Sequence, residues 1–274
     1  MTETVPILSI VFMVLALAIA VALPVGLCLW LRRRKHADLL PFFIGCAVMI
    51  LFAFVLEALV HRLVLRTEVG AAIQGNLWLY GLYGGAMAGL FEETGRFIAF
   101  KTVLRKKQGR DANALMYGAG HGGIEALAIL GIASLNNLLY SVLINTGNTA
   151  LLTAQASGEV LEQVEGAIRA LAATPSWQFL LGGVERIFAV VLHLSFSVLV
   201  WFAAKKKNRI WLYPAAVLLH LIVDAATAIL AGKHVSLLLV EAAVAALALL
   251  SALIAKKVWR DNAVTGPDPA DDAP

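Results

Sequence analysis

Apolar residues run along this chain in long stretches, each closed by a short polar or basic segment. Seven stretches reach about 20 residues, the length a helix needs to cross the hydrocarbon core of a bilayer. They cover 6–31, 39–61, 77–104, 112–144, 177–204, 210–231 and 235–255. The expected fold class is therefore all-α, a polytopic transmembrane helical bundle of about seven spans, forming a single domain over 1–265. The fourth stretch is too long for a straight crossing. It is expected to tilt, to break near Asn136-Asn137, or to run on past the bilayer. The external loop 146–176 is more polar, yet Val160, Leu161, Val164, Ile168 and Leu171 recur there at helical spacing beside Glu159, Glu162 and Glu165. That pattern predicts an amphipathic helix lying on the membrane surface or capping the bundle. The Pro- and Asp-rich segment 266–274 reads as a disordered cytoplasmic tail.

Composition agrees. Hydrophobic residues make up 60% of the chain and charged residues 15%, with a mean hydropathy of +0.82. No stretch is left for a second, soluble domain. Cys28 and Cys46 both fall in apolar runs, which argues against a disulfide framework or a cysteine metal site. The N-terminus has no basic region ahead of its apolar run, and that run is long enough to span, so a cleaved signal peptide is not expected.

Charge adds orientation. Basic residues cluster after alternate spans, at Arg32-Arg33-Arg34-Lys35, Arg105-Lys106-Lys107 with Arg110, Lys205-Lys206-Lys207 with Arg209, and Lys256-Lys257 with Arg260. The other side carries only Arg62, Arg66, Arg169 and Lys233. By the positive-inside rule the expected localisation is the cell membrane, multi-pass, with the N-terminus outside and the C-terminus cytoplasmic. Membrane lipid is the implied surroundings. The net charge of +4 is used for topology and gives no support to nucleic-acid binding.

One stretch breaks the pattern. Phe91-Glu92-Glu93-Thr94-Gly95-Arg96-Phe97 places three charged side chains inside the third span. Each costs roughly 2.5–3.5 kcal/mol at the centre of a lipid-facing helix, so they must face protein or a wet cavity. Arg96 lies at i+4 from Glu92 and i+3 from Glu93 and can reach either. A structural ion pair and a chemical site both satisfy this spacing. Of six histidines, His36, His61 and His234 sit at span edges, and His121, His193 and His220 sit inside spans four, five and six. On a rise of about 1.5 Å per residue, Glu92, His121, His193 and His220 lie about 18, 14, 16 and 15 Å from their basic ends. Four polar groups on four helices thus share one layer. Glu125 follows His121 by four residues and Asp224 follows His220 by four, each able to orient an imidazole. Glu185-Arg186 lies two turns from His193. Asn136 and Asn137 are further donors, and Glu57 and Glu241, near span ends, are expected to snorkel. Gly81, Gly85 and Gly89, and Gly118 and Gly122, permit close helix packing or approach of a substrate backbone.

A carboxylate beside imidazoles can activate water as a general base, and further imidazoles can stabilise an oxyanion. His121, His193 and His220 can also hold a metal, with zinc the candidate cofactor. No span carries H-E-x-x-H, so such a site must be assembled from separate helices.

The series Glu92-Glu93-x-x-Arg96, Tyr117-x-x-x-His121 and His220-x-x-x-Asp224 resembles the motifs of the type II CAAX prenyl endopeptidase and bacteriocin-immunity superfamily. That series runs E-E-x-x-x-R, F-x-x-x-H and H-x-x-x-N/D. The sequences E-E-T-G-R and H-G-G-I-E look closer still to its YhfC branch of intramembrane metalloproteases. The resemblance covers roughly 77–230. It implies that Glu92 and His121 activate water while His220 and Asp224 serve as oxyanion and orienting groups. Arg96 comes one residue early, Tyr117 stands for Phe, and Asp224 stands where Asn is common. An ionised Asp cannot donate to an oxyanion, so Asp224 must be protonated, orient His220, or bind metal. The expected activity is intramembrane hydrolysis of peptide bonds in a membrane-protein or peptide substrate. Two other classes share these residues: a non-catalytic scaffold or immunity protein, and a proton-coupled transporter using the same polar layer. Against transport, no internal repeat and no matched pair of broken helices is present.

Overall fold

The computed structural model describes residues 4–263. The expected tail, 266–274, lies outside the described residues. Six helices there are long and apolar enough to cross a membrane: Ile7–Arg34, Leu40–Val64, Ala112–Asn145, Ser176–Lys205, Lys207–Gly232 and Leu237–Asn262. Leu77–Lys101 is a further long helix of 25 residues, less apolar because of its glycines and the Glu92-Glu93-Arg96 group. In chain order it is the third of seven spans, as the sequence reading expects.

Local chemistry sets the helix ends. The first span closes on Arg32, Arg33 and Arg34 and carries Pro24 within it. Pro41 starts the second, where its missing N–H would have had no intrahelical partner. Asn76 caps the third, its side chain accepting from the N–H groups of Trp78 and Leu79 at 3.0 and 3.1 Å. The fourth span does not break at Asn136-Asn137, which lie within the regular helix Ile132–Asn145. Neither residue removes a backbone donor, and Asn136 is exposed to the surroundings. The irregularity falls earlier, in a π-helical turn at Leu127–Gly131. A second π segment, Ile50–Glu57, lies in the second span and ends on Glu57. The amphipathic helix forms at Glu159–Ala173, with Leu171 buried and Val160 exposed.

The residues fall into two compact units that interleave along the chain. Among the described residues, one is formed by 4–23 with Ala126–Ile187, the other by Pro24–Glu125 with 188–263. In the first unit, Val5, Met13, Ile144 and Leu171 form a small apolar core, so the amphipathic helix docks there through Leu171. Asn145 ties the chain start to the fourth span. Its Oδ1 accepts from Val5 N–H at 2.7 Å and its Nδ2 donates to Val5 C=O at 3.0 Å.

The second unit is built on close contact between the third and sixth spans. A methyl group added at Gly85 would come within 2.5 Å of Leu221 C=O, and one at Gly89 within 2.7 Å of Val217 C=O. Helix packing therefore occupies the third-span glycines. Beside them, Phe100, Tyr117, Trp201 and Phe202 are fully buried in the largest apolar cluster. At the basic end, Asp111 accepts from Trp201 Nε1 at 2.8 Å and Lys205 Nζ at 2.6 Å. Asn262 likewise accepts from Lys206 Nζ at its C=O (2.7 Å) and from Arg209 Nε at its Oδ1 (3.1 Å). These bonds hold the spans whose inner faces carry the polar layer.

Candidate functional site

All eight candidate residues belong to the second unit. Glu92, Glu93 and Arg96 occupy the buried face of the third span, whose opposite face shows Leu82, Leu90 and Ile98 outward. Glu92 is the hub. Its Oε2 shares a hydrogen bond with His121 Nε2 at 2.9 Å and lies 3.7 Å from His193 Nδ1, while its Oε1 is 3.8 Å from His220 Nε2. The depth layer read from the sequence thus closes around one carboxylate. Glu93 is fully buried and takes the other partners, pairing closely with Arg96 Nη1 and accepting from His220 Nδ1–H at 2.8 Å. Arg96 makes a longer contact with Glu92, 3.4 Å from Nη2 to Oε2. Adjacent residues on a helix point about 100° apart, which separates the two glutamates into different neighbourhoods.

Arg96 also reaches His193, its Nη2 donating to Nδ1 at 2.6 Å. A guanidinium only donates, so Nδ1 is the acceptor and the ring proton is on Nε2. That Nε2–H meets Glu125. The sequence reading pairs Glu125 with His121 by i+4 spacing, and the structure corrects this. Gly122 explains the difference. A methyl there would lie 2.8 Å from the His193 ring, so its absence lets that ring pack against this turn and reach Glu125. His121 instead packs on Tyr117 with ring centroids 5.6 Å apart. Its Nδ1 is buried without a hydrogen-bond partner among the described residues, as are Tyr117 Oη, Arg96 Nε and Glu93 Oε2. Such a concentration of spare hydrogen-bonding capacity calls for an explanation in a native core, and an ion or polar ligand supplies one.

Asp224 lies 3.4 Å from His220 Nε2, with its side chain 40% exposed. The role consistent with that position is to orient His220, whose ring also stacks on Phe196 at 5.1 Å.

Of the expected metal ligands His121, His193 and His220, the first two lie together with Glu92. Among the described residues, one atom each from Glu92, His121 and His193 falls within 4.8 Å of the others, a separation a single cation could bridge. His220 faces the other oxygen of the same carboxylate, its Nε2 3.8 Å from Glu92 Oε1 and its Nδ1 bonded to Glu93. Two imidazoles and a carboxylate are a suitable donor set for zinc with a position left open, so the residues fit a metal.

Some sequence candidates lie elsewhere. Glu185 and Arg186 pair with each other in the first unit. Asn136 and Asn137 also belong to that unit. Glu57 does not snorkel. It is 8% exposed, bonded to His61 Nε2 at 3.1 Å, and His61 Nδ1 continues to Tyr83 Oη at 3.0 Å. Glu57-x-x-x-His61 is the same carboxylate–imidazole spacing that marks His121/Glu125 and His220/Asp224, so the signal was present in the sequence. Glu241 is half-buried.

The model of the YhfC intramembrane metalloprotease family matches residues 19–245. The chain belongs to the YhfC family. It is also 39% identical over 214 residues to an uncharacterized membrane protein YhfC of Bacillus subtilis (strain 168), covering 77% of this chain and 81% of that protein. No solved structure matches. The YhfC match contains every residue of the polar layer, and with the long apolar helices it makes this a multi-pass membrane protein of a family described as intramembrane metalloproteases.

Proposed function

We propose that this chain is an endopeptidase that hydrolyses peptide bonds in or near the membrane, with Glu92 as the general base. The observation that carries the proposal is the hub geometry, in which one buried carboxylate faces His121, His193 and His220 within 4 Å. Glu92 takes a proton from water, and the water oxygen attacks the scissile carbonyl carbon. His121 Nε2, bonded to the same oxygen of Glu92, orients the base. His220 has its Nδ1–H committed to Glu93 and its Nε2 directed toward Asp224 and Glu92, so when Nε2 is protonated it can turn that edge to the developing oxyanion. Asp224 orients that ring. As the C–N bond breaks, Glu92 returns its proton to the leaving amine.

Glu92, His121 and His193 would hold a divalent cation, which would supply Lewis-acid polarisation of a carbonyl or water. Glu93 and Arg96 form the buried frame that fixes the helix carrying Glu92. The basic clusters support a C-terminus in the cytoplasm and an N-terminus outside, which puts the polar layer slightly to the cytoplasmic side of the midplane.

The test is Glu92→Gln, assayed against co-expressed single-span substrates and for thermal stability in detergent. Gln keeps the shape and cannot accept the proton. Cleavage should fall by about 10²–10⁴-fold, the usual range for a lost general base, with the protein still folded. Full cleavage by the variant would remove Glu92 from its role. No cleavage by wild-type protein of any single-span substrate would favour the scaffold reading.

A further inference from the structure

Glu92, His121 and His193 are not held apart by empty geometry. Arg96 Nη2 stands 2.6 Å from His193 Nδ1 and 3.4 Å from Glu92 Oε2, two atoms that are themselves 3.7 Å apart. The guanidinium therefore bridges two members of the set that would hold a cation. Zinc ligation places nitrogen and oxygen atoms about 2.0–2.2 Å from the ion. A cation so close to both atoms would lie against a guanidinium nitrogen of like charge already bonded to them. The lone pair on His193 Nδ1 can be given to Arg96 or to a metal, not to both. His193 cannot offer Nε2 instead without leaving Glu125.

We infer that Arg96 and a divalent cation are alternative occupants of the Glu92–His193 gap, so that Arg96 holds the site closed to metal. The inference rests on the cation-binding part of the reading above and adds a competitor built into the same helix. Arg96 has a second anchor to fall back on, since its Nη1 remains with Glu93 when Nη2 lets go. Its Nε is buried without a hydrogen-bond partner, so the hydrogen bonds given by the side chain are concentrated at the two terminal nitrogens. Loading a cation then requires that Nη2 leave His193 and Glu92 and that the His121 Nε2–Glu92 bond give way. Unloading lets it return. Arg96 is in this sense a positioning residue, acting through His193 and Glu92.

The experiment uses the full chain in detergent, stripped with a chelator and titrated with Zn²⁺ or Co²⁺ alone. Bound zinc is measured by elemental analysis after gel filtration, and cobalt by its visible absorption. Neither readout depends on proteolysis, so a failure here is separable from failure of the endopeptidase reading. Arg96→Gln should bind either metal at least tenfold more tightly than wild type. Arg96→Gln combined with Glu93→Gln removes both charges of the buried pair and should show the same gain, which keeps the test available where the single variant does not fold. Removal of a positive charge would by itself favour a cation, so His193→Gln is added to each background. Competition for Nδ1 predicts that the gain vanishes with His193. A gain that survives His193→Gln would overturn the inference, as would unchanged affinity in the Arg96 variants or no metal uptake by any of the proteins.

Discussion

Glu125 meets the Nε2–H of His193 on the fifth span, although His121 lies only four residues before it on its own helix. Together with the Arg96 bond to Nδ1, this clamps the His193 ring at both nitrogens. Partners of this kind fix tautomer and orientation, and their loss commonly costs about 10–100-fold in metal affinity or activity. Glu125→Gln should therefore lower the cleavage rate by about that factor while leaving substrate affinity near wild type. A KM-against-kcat comparison checks it. A change confined to KM would place Glu125 in substrate binding instead.

Glu93 and Arg96 are both fully buried, so each depends on the other. Glu93→Gln leaves the guanidinium without its nearest counter-charge. Breaking a buried pair from one side costs about 3–5 kcal/mol. The expected outcome is a lower Tm and yield in detergent. A fully stable but inactive Glu93→Gln would mean that the base and frame roles of the two glutamates are reversed.

Much of this was legible because lipid-facing helices penalise polar groups. Any charged side chain in the third span had to have a partner, and equal depth pointed to Glu92, His121, His193 and His220 as one layer. The i+4 rule failed at Glu125 because spacing describes one helix, while Gly122 admits a ring from another. Spacing also could not choose between carboxylates for Arg96, which pairs closely with Glu93 and lies 3.4 Å from Glu92. Depth gives no azimuth either, so it could not show that Glu92 stands with His121 and His193 as a group able to hold a cation. At Glu57 the error was one of burial. A carboxylate near a span end can reach the interface, but His61 and Tyr83 hold it inward.

The orientation of the chain follows from the basic clusters and has a direct check. Reporter fusions at Gln108 and Asn208 should read cytoplasmic, and one at Gly158, ahead of the amphipathic helix, should read external. A cytoplasmic signal at Gly158 would invert the topology and move the polar layer to the outer side of the midplane.

The glycine stripe gives a stability prediction with a control inside it. A Cβ at Gly85 would meet the backbone of Leu221 and Ala225, at 2.5 and 2.9 Å, whereas one at Gly84 meets nothing within 4 Å. Backbone cannot rotate away as a side chain can. Gly85→Val should therefore lower Tm by an amount equivalent to about 1–3 kcal/mol of overpacking, and Gly84→Val should not. Equal Tm values for the two variants would show that the third and sixth spans do not pack along this stripe.

Glu57, His61 and Tyr83 tie the second span to the third by a route separate from the Glu92 hub. His61 is bonded on both ring nitrogens, and its ring lies 5.2 Å from that of Tyr83. Only Glu57 in this chain is buried, so removing a partner leaves a neighbour unsatisfied at a cost toward the lower end of about 1–3 kcal/mol. Glu57→Ala and Tyr83→Phe should each lower Tm. The double variant should lose less than the sum, since the second deletion removes groups already left without a complete chain. Two measurements decide between this arrangement and a carboxylate that reaches the interface. One is the double-mutant cycle, where strict additivity would show no linkage through His61. The other is labelling by a water-soluble carbodiimide, which a buried Glu57 should resist in folded protein. Ready labelling together with an unchanged Tm in Glu57→Ala would restore the snorkelling position for this side chain and leave the two spans joined by apolar packing alone.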